Sequence, residues 1–234
     1  MIESTPVVVV VSLGPGEPDL ITVSGIQTLK EANVIFCPGT NGRSRSADLL
    51  REMGISEFVL QIYTLPMSKN REQAHDAYNR VLEDAIRLRE EKRNVAIVAE
   101  GDSGFYSSTG YLVQRLKNND IPVKQIAGVP AFIAAAASVG ISVVEQEERL
   151  TVCPGEIDEA LIGRIAAGRE VAVVMKLSQC EKEMKQYIEQ TEGVVFHYFE
   201  NVGRGNEFYT CDPTQVVGRE FPYFSLMIIK KQSN

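Results

Sequence analysis

Val7-Val-Val-Val-Val-Ser-Leu-Gly14-Pro15-Gly16-Glu-Pro-Asp19 joins an apolar run to a glycine-rich turn and the start of a helix. Five consecutive valines favour a strand that is covered on both faces, as in a parallel sheet. Pro18 suits a first helical turn, because the missing N–H of proline costs nothing there. A loop at the carboxyl end of such a strand faces a crevice, so the turn is a candidate small-molecule site.

The composition is that of a globular protein with enough apolar residues for packed cores. The chain has 234 residues, of which 44% are hydrophobic, so it is long enough for one large domain or two small ones. Its longest apolar run, within 6–13, is far shorter than the roughly 20 residues of a membrane-spanning helix. Residues 1–5 lack the basic start and the cleavage site of a secretory signal. We therefore expect a cytoplasmic enzyme with no membrane partner.

The charge and the cysteine pattern argue against two classes of site. A net charge of −7 disfavours nucleic acid as a partner, because binding to phosphates needs a basic face. The four cysteines form no Cys-x-x-Cys pair and only two histidines are present, so we expect neither a metal site nor a disulfide framework. An acidic substrate would have to meet a local basic patch.

Short apolar runs alternate with helical stretches along the chain, which is typical of an α/β fold with parallel sheets. The alternation predicts two α/β domains of similar size, residues 1–128 and 129–234. Helices are predicted at 20–32, 46–53 and 70–91, and a helix of small residues at 131–137. Strands are predicted at 6–13, 33–37, 57–62, 95–100, 123–127, 149–153, 171–176, 194–199, 207–210 and 223–230.

The Gly14-x-Gly16 turn begins like a dinucleotide-binding fingerprint but does not complete it. The third glycine of G-x-G-x-x-G would fall at Asp19, whose charge would repel a pyrophosphate. The chain has no G-x-x-x-x-G-K-[ST] sequence either, so a P-loop is excluded. From these residues alone, a tight turn without a ligand and a turn in a binding site are both open.

A second glycine-rich loop, at residues 99–110, follows the apolar strand predicted at 94–98 and is the stronger ligand candidate. Its glycines let backbone amides approach a ligand, and Asp102 offers a carboxylate to an ammonium or hydroxyl group. The hydroxyls of residues 107–109 are explained equally well by ligand binding and by capping of the next helix.

Three motifs in order resemble the tetrapyrrole (corrin/porphyrin) methylase family: the Gly-Pro-Gly turn, the Gly-Asp loop and the helix of small residues. The resemblance covers nearly the whole chain. Within the family it is strongest to the branch that methylates C20 of precorrin-2 or cobalt-factor II in vitamin B12 synthesis. The segments that carry it are Gly101-Asp-Ser-Gly-Phe-Tyr-Ser-Ser-Thr-Gly-Tyr111, Gly128-Val-Pro-Ala-Phe-Ile-Ala-Ala-Ala-Ala137, Glu147-Glu-Arg-Leu-Thr-Val-Cys-Pro-Gly155 and Pro222-Tyr-Phe-Ser225.

The resemblance implies two α/β domains, an S-adenosylmethionine cofactor in the cleft between them, and a homodimer. Two positions depart from the family pattern: Ser103 stands where proline is usual, and Pro130 stands where threonine or serine is common, so a hydroxyl contact is lost there. From its residue type and its place in a predicted strand alone, Met175 fits a core position better than a cofactor contact. By position, the family's cofactor contacts match Pro15, Glu100, Gly101, Asp102, Ser103, Pro130, Ala131 and Met175.

The resemblance also implies methyl transfer between groups that are already reactive, so we expect catalysis by positioning. We expect Asp102 to anchor the methionyl or ribosyl end of the cofactor and not to act as a base. No catalytic residue is assigned. Tyr106 and Tyr111 are candidates for lining the macrocycle, and ordinary packing explains them equally well.

The implied substrate carries carboxylate side chains, which an acidic protein must receive on basic loops. Arg43 and Arg45 lie in a glycine- and serine-rich loop and suit this task, because a guanidinium pairs with a carboxylate in a bidentate way. Ordinary exposed charge is the alternative for each basic residue. The predicted substrate contacts are Gly14, Gly16, Arg43, Arg45 and Tyr106, with Lys69, Arg71 and Arg204 as further basic candidates.

Other functions are open at this point. The chain resembles, less closely, methylases of another tetrapyrrole position, with uroporphyrinogen III or another precorrin as substrate. It also resembles methylases of macromolecules, such as diphthine synthase or an enzyme acting on ribosomal RNA, and its acidic balance disfavours RNA. A non-catalytic nucleotide-binding module has only the glycine loops in its support. The presence of cobalt in the substrate leaves no trace in the sequence, because that metal belongs to the substrate.

Overall fold

A computed structural model describes residues 6–65 and 71–232 of the chain. The chain divides into two compact units, Met1–Pro130 and Ala131–Asn234. Each unit contains one five-stranded sheet with helices packed against it. Two α/β units agree with the fold class predicted from the sequence. Among the described residues, no helix combines the length and the hydropathy that crossing a bilayer requires.

The first unit is built on a parallel sheet. Its strands lie in the order β3-β2-β4-β1-β5, and every neighbouring pair is parallel. The carboxyl ends of all five strands therefore meet at one edge. The strands are β1 (Val8–Ser12), β2 (Val34–Gly39), β3 (Leu60–Thr64), β4 (Val95–Ala99) and β5 (Val123–Ile126).

The valine run of β1 is covered on both faces, as predicted. Val8 and Val10 lie in the cluster formed with the helices on one face, and Val11 lies in the cluster on the other. Both clusters are continuous with helices that connect the strands, so the apolar run reflects two-sided burial. These helices are α1 (Val23–Glu31), α2 (Arg45–Glu52), α3 (Arg71–Glu90) and α4 (Thr109–Asn118).

The start of α1 differs from the prediction. Residues Pro18–Leu20 form a separate 3-10 turn, and the α-helix begins only at Val23. Thr22 is the N-cap residue, because its Oγ1 accepts a hydrogen bond of 3.2 Å from the backbone N–H of Gly25. The proline does start a helical turn, but the cap at Thr22 determines where the longer helix begins.

The second unit has a mixed sheet of order β6-β7-β10-β8-β9, in which only β6 and β7 pair in parallel. Helices α6, α7 and α8 cover one face of this sheet around Met184, Tyr198 and Met227. The elements are α5 (Ala131–Ser138), β6 (Arg149–Pro154), α6 (Glu159–Ala166), β7 (Glu170–Met175), α7 (Glu181–Gln190), β8 (Val194–Glu200), β9 (Phe208–Thr210), α8 (Pro213–Val217) and β10 (Ser225–Lys231).

The sequence predicted the strands of this unit, but the expectation of a second parallel sheet was wrong. Parallel neighbours need a crossover connection of about a dozen residues or more. The connection from β8 to β9 covers only residues 201–207 and contains no helix, so these strands pair as antiparallel neighbours. β10 then lies between β7 and β8 and is antiparallel to both.

Candidate functional site

Three loops of the first unit lie side by side because β4, β1 and β5 are neighbours in a parallel sheet. The Gly14-Pro15-Gly16 turn follows β1, the segment Glu100–Ser103 follows β4, and residues 127–130 follow β5. Strand order therefore brings together motifs that are separated along the chain by more than eighty residues. The arrangement is the usual place for a ligand site in an open α/β sheet.

The first two loops are joined by a pair of backbone hydrogen bonds. The N–H of Gly14 donates to the carbonyl of Gly101 at 3.1 Å, and the N–H of Gly101 donates to the carbonyl of Gly14 at 2.8 Å. Gly14 has φ +70° and Gly101 has φ +69°, which is the left-handed region that favours glycine. The two glycines thus allow an exchange of bonds that most other residues would oppose.

Asp102 connects the second loop to the third. Its Oδ1 accepts from the N–H of Gly104 at 2.8 Å, and its Oδ2 accepts from the N–H of Gly128 at 2.7 Å. Ser12, the fully buried last residue of β1, accepts from the N–H of Ser103 through its Oγ at 2.9 Å. Asp102 and Ser12 each hold a backbone amide of a neighbouring loop in place.

The third loop approaches the other two closely at Gly128. A Cβ on Gly128 would lie 2.6 Å from Ser12 Cβ and 2.8 Å from the carbonyl oxygen of Gly101. No residue with a side chain fits there without movement of the backbone. At Gly101, in contrast, a Cβ would meet no atom within 4 Å, so the space beside this glycine is open to a ligand.

The hydroxyls that follow the Gly-Asp loop serve the start of α4. Ser107 Oγ lies 2.8 Å from Thr109 Oγ1 and accepts from the N–H of Thr109 at 3.3 Å. Ser108 is the N-cap residue but makes no capping bond with its side chain. The local bonds of Ser107 and Thr109 favour the capping interpretation over direct ligand contact.

Two candidate tyrosines lie near this loop and are half exposed. Tyr106 is 46% exposed and has φ +50°, an uncommon backbone conformation for an aromatic residue that often marks a functional site. Tyr111 is 51% exposed, and its ring stacks on that of buried Tyr78 at a centroid distance of 6.2 Å. Their exposed surfaces remain compatible with contact to a flat ligand.

Arg43 and Arg45 flank the turn between β2 and α2, at the same edge of the sheet. Thr40 and Arg43 exchange two backbone hydrogen bonds of 2.8 and 3.0 Å, which close the turn. The Arg43 side chain is exposed and forms no salt bridge with the described residues. Arg45 is half buried as the first residue of α2. Glu100, beyond the end of β4, accepts a weak hydrogen bond of 3.4 Å from Ser46 Oγ.

The other predicted residues lie at the end of the third loop or outside the three loops. Pro130 is the last residue of the loop after β5 and ends the first unit, whereas Ala131 begins α5 in the second unit. Met175 ends β7 and is half buried. Arg71 is the first residue of α3, whereas Lys69 lies outside the described residues.

Two buried polar atoms of the described chain lack a hydrogen-bond partner, and both lie on residues near the ends of strands. Arg204 follows β8, and its Nε is buried without an acceptor. The Tyr63 hydroxyl, near the end of β3, is also unpartnered, and burial raises the pKa of this phenol. Arg204 is among the basic candidates predicted from the sequence, whereas Tyr63 is not, since a tyrosine in an apolar strand carries no signal of its own.

The buried cysteines are poor nucleophiles. Burial raises the pKa of Cys37 to about 12 and that of Cys180 to about 11, so both thiols are neutral at physiological pH. Among the side chains of residues 6–65 and 76–232, no three histidine, cysteine or acidic groups lie so that they could hold a metal ion.

The family model of the tetrapyrrole (corrin/porphyrin) methylases matches residues 7–212. The chain is 28% identical over 228 residues to a precorrin-2 C(20)-methyltransferase of a Sinorhizobium species, a match that covers 94% of this chain and 93% of that protein. It is 24% identical over 226 residues to the cobalt-precorrin-2 C(20)-methyltransferase of Salmonella typhimurium, with 94% of each chain covered.

Solved structures show the same fold. A cobalt precorrin-4 methyltransferase superposes with a TM-score of 0.72 at 16% identity and covers 95% of this chain and 94% of its own. A uroporphyrin-III C-methyltransferase of Thermus thermophilus, in complex with S-adenosylhomocysteine, has a TM-score of 0.68 at 17% identity. The match covers 96% of this chain and 97% of that one. The order of glycine loops, the two α/β sheets and the match over residues 7–212 agree, and the chain belongs to the tetrapyrrole (corrin/porphyrin) methylases, a family of methyltransferases.

Proposed function

We propose that the protein transfers the methyl group of S-adenosylmethionine to C20 of precorrin-2 or cobalt-factor II in cobalamin biosynthesis. The observation that carries the proposal is the similarity to two C(20)-methyltransferases over 94% of this chain. The three adjoining loops of the first unit support it, because they form a rigid backbone surface with open space at Gly101.

The residues present fit the cofactor at this surface. Open space beside Gly101 lets a ligand approach the backbone, and Pro15 and Gly101 belong to loops that are joined by hydrogen bonds. Met175, the last residue of β7 in the second unit, is a contact that the family resemblance implies, and its polarisable side chain suits an apolar part of the cofactor. The proposed cofactor contacts are Pro15, Glu100, Gly101, Asp102, Ser103, Pro130, Ala131 and Met175.

For this reaction the protein mainly has to hold the methyl donor and the acceptor carbon in the correct orientation. When bound, S-adenosylmethionine supplies an electrophilic methyl group on a sulfonium. The loops after β1, β4 and β5 hold their backbone groups in fixed positions through the bonds of Ser12 and Asp102. Correct orientation of two reactants lowers a barrier by roughly 7–11 kcal/mol, so we expect the methyl transfer itself to need no base. The C20–CH3 bond forms as the S–CH3 bond of the sulfonium breaks, and the proton that the methyl group replaces at C20 then leaves to water.

The carboxylate side chains of the substrate are assigned to the basic turn between β2 and α2. Arg43 is exposed there, at the carboxyl edge of the sheet that also carries the glycine loops. Arg45 follows it at the start of α2. Gly14, Gly16 and Tyr106 are the further proposed substrate contacts, and Arg204 is a further basic candidate because its buried Nε has no partner among the described residues.

The setting of the enzyme is part of the proposal. We infer a homodimer in the cytoplasm that has no nucleic-acid or membrane partner. The net charge of −7 supports the absence of a nucleic-acid surface. Gel filtration with light scattering gives the mass in solution, and a monomer at assay concentration would contradict the dimer.

Incubation with S-adenosylmethionine and either metal-free precorrin-2 or cobalt-factor II tests the function. Mass spectrometry should show the gain of one methyl group, and NMR of the product should locate it at C20. Comparison of the two substrates decides whether cobalt is required. A methyl group at another carbon would assign the enzyme to a different step, and no mass gain with either substrate would refute the proposal.

A further inference from the structure

Both carboxylate oxygens of Asp102 accept a hydrogen bond from a backbone N–H. Oδ1 accepts from Gly104 within its own loop, and Oδ2 accepts from Gly128 in the loop after β5. Both distances, 2.8 and 2.7 Å, are typical of bonds in which the acceptor is charged. The side chain of Asp102 is therefore directed into the protein backbone on both sides.

Gly128 must come close for the second of these bonds to form. A Cβ placed on Gly128 would lie 2.6 Å from Ser12 Cβ, 2.8 Å from the Gly101 carbonyl oxygen and 3.3 Å from the Gly14 nitrogen. Three loops therefore converge on one residue that has no side chain. Any larger residue would push the amide of position 128 away from Asp102.

Two other contacts complete the connection between the loops. Gly14 and Gly101 exchange backbone bonds, and Ser12 Oγ accepts from the N–H of Ser103. Asp102 lies between the two residues that these contacts hold, Gly101 and Ser103. The loop is thus held on both sides of Asp102 as well as through its carboxylate.

We propose that Asp102 is a positioning residue, which holds the Gly-Asp loop against Gly128 so that backbone groups of the loop meet the ligand in a preformed arrangement. This inference rests on the proposed function for the identity of the ligand. It assigns to the Asp102 carboxylate an indirect role, in place of the direct anchoring of the methionyl or ribosyl end that the sequence suggests, so that only the backbone of Asp102 stays among the proposed cofactor contacts. It also makes glycine obligatory at position 128.

Asp102→Asn distinguishes the two roles because asparagine keeps the shape but converts one acceptor into a donor. An NH₂ group in place of either oxygen would face a backbone N–H, so one of the two bonds is lost. If the ligand must restore the loop arrangement that this hydrogen bond holds in the free protein, the affinity should fall by about 10- to 100-fold. Gly128→Ala removes the same contact from the other side, without any change to a side chain that could touch the ligand.

Isothermal titration with S-adenosylhomocysteine, applied to the full chain, measures the effect. Asp102→Asn and Gly128→Ala should each weaken binding by about 10-fold or more. The double variant should bind no more weakly than Gly128→Ala alone, because both changes break one contact. Asp120→Asn and Gly163→Ala are matched controls at exposed residues, and they should bind like the wild type. A Cβ on Gly163 would meet no atom within 4 Å.

A direct contact between Asp102 and the ligand predicts a different pattern. The losses of the two single variants would then multiply in the double variant, and that result would overturn the inference. Unchanged affinity in either single variant would overturn it as well. Thermal unfolding of each variant separates a local effect from a loss of fold.

Hydrogen exchange of the protein without ligand tests the contact independently of the proposed function. Asp102→Asn should accelerate exchange of at least one of the two amides, those of Gly104 and Gly128, and leave exchange in β7 and β10 unchanged. Unaltered exchange at both glycines would refute the positioning role. Failure of the wild type to bind S-adenosylhomocysteine would refute the proposed cofactor, whereas the exchange result would still decide how Asp102 acts.

Discussion

Glu200, the last residue of β8, is 7% exposed and accepts hydrogen bonds from two side chains. Arg219 donates from Nε at 2.7 Å and from Nη2 at 3.0 Å, and the Tyr198 hydroxyl donates at 2.7 Å. Burial alone would raise the pKa of this carboxyl, but the hydrogen bonds from Arg219 and Tyr198 outweigh it and hold the pKa below its ordinary value. The ionised form is therefore stabilised in the fold.

This pKa shift predicts how the stability of the second unit depends on pH. A carboxyl whose pKa is lowered by folding contributes stability above the unfolded pKa, which is 4.5, and loses it as the pH falls through the folded pKa. Glu200→Gln should lower the free energy of unfolding at neutral pH by about 1–3 kcal/mol and should weaken the further loss in acid. Urea unfolding followed by circular dichroism at neutral and acidic pH measures both effects.

The matched control is Glu91→Gln. Glu91 forms an exposed ion pair with Arg87 at 3.0 Å. The substitution should leave the unfolding midpoint unchanged within error, because solvent screens such pairs. If Glu200→Gln were as stable as the wild type at neutral pH, the bonds from Arg219 and Tyr198 would carry no net stability.

Removal of the charges of Arg43 and Arg45 should weaken binding of the tetrapyrrole substrate and not binding of the cofactor. The double variant Arg43→Ala/Arg45→Ala should weaken tetrapyrrole binding by about two- to fivefold for each exposed pair that is lost, and it should reduce the salt dependence of binding. Affinity for S-adenosylhomocysteine should not change. Fluorescence titration at two salt concentrations measures this, with Arg80→Ala on the exposed surface of α3 as the control. Unchanged tetrapyrrole affinity and salt dependence would eliminate these arginines.

At the scale of an element, one serine connects β2 to α2. Ser44 is 2% exposed, its Oγ donates to the carbonyl of Pro38 at 2.6 Å, and the same oxygen accepts from the N–H of Ala47 at 3.1 Å. It therefore caps α2 and fixes the end of β2 at the same time. Because Ser44 lies between Arg43 and Arg45, the junction also determines where the basic turn is held.

Removal of this hydroxyl should affect stability and substrate affinity together. Ser44→Ala should lower the free energy of unfolding by about 1–2 kcal/mol through loss of the cap. It should also raise the KM for the tetrapyrrole and leave the affinity for S-adenosylhomocysteine unchanged. Chemical unfolding and steady-state kinetics measure the two effects, and Ser24→Ala on the exposed side of α1 is the control. A stability equal to that of the wild type would contradict the capping role.

At the scale of the whole molecule, the proposed cofactor predicts a change in the stability of the folded protein. A ligand that binds only the folded protein adds to its stability according to concentration and affinity. Stabilisation by ligand therefore tests the cofactor without need of the tetrapyrrole.

S-adenosylhomocysteine at 100 times its dissociation constant should stabilise the protein by about 2.7 kcal/mol. Thermal unfolding at a series of ligand concentrations should show the midpoint rising with concentration. Adenosine triphosphate at the same concentrations is the control and should not shift it, because the chain has no P-loop. Equal shifts with both ligands would indicate a general nucleotide-binding module.

Much of the fold follows from local sequence patterns. The sequence predicted all the strands named above. Strands such as β1 and β4 are buried on both faces and therefore apolar throughout, whereas β3 and β5 carry exposed polar residues, and glycine, proline and polar residues mark the strand boundaries. The start of α1 was misplaced by a few residues, because the Thr22 cap competes with the Pro18 signal. The site residues remain predictions, although three of their loops do adjoin in the first unit.

The sequence by itself determined the alternation of strands and helices, the glycine loops and the family to which the chain belongs. Only the tertiary structure decided that the second sheet is mixed, that Asp102 bonds to Gly128, and that Ser12 holds Ser103. The physical reason is that these contacts join residues far apart in the sequence. Periodicity and turn residues record the environment of each segment, whereas strand order brings together Ser12 and Ser103, which are 91 residues apart, and no local pattern records that distance.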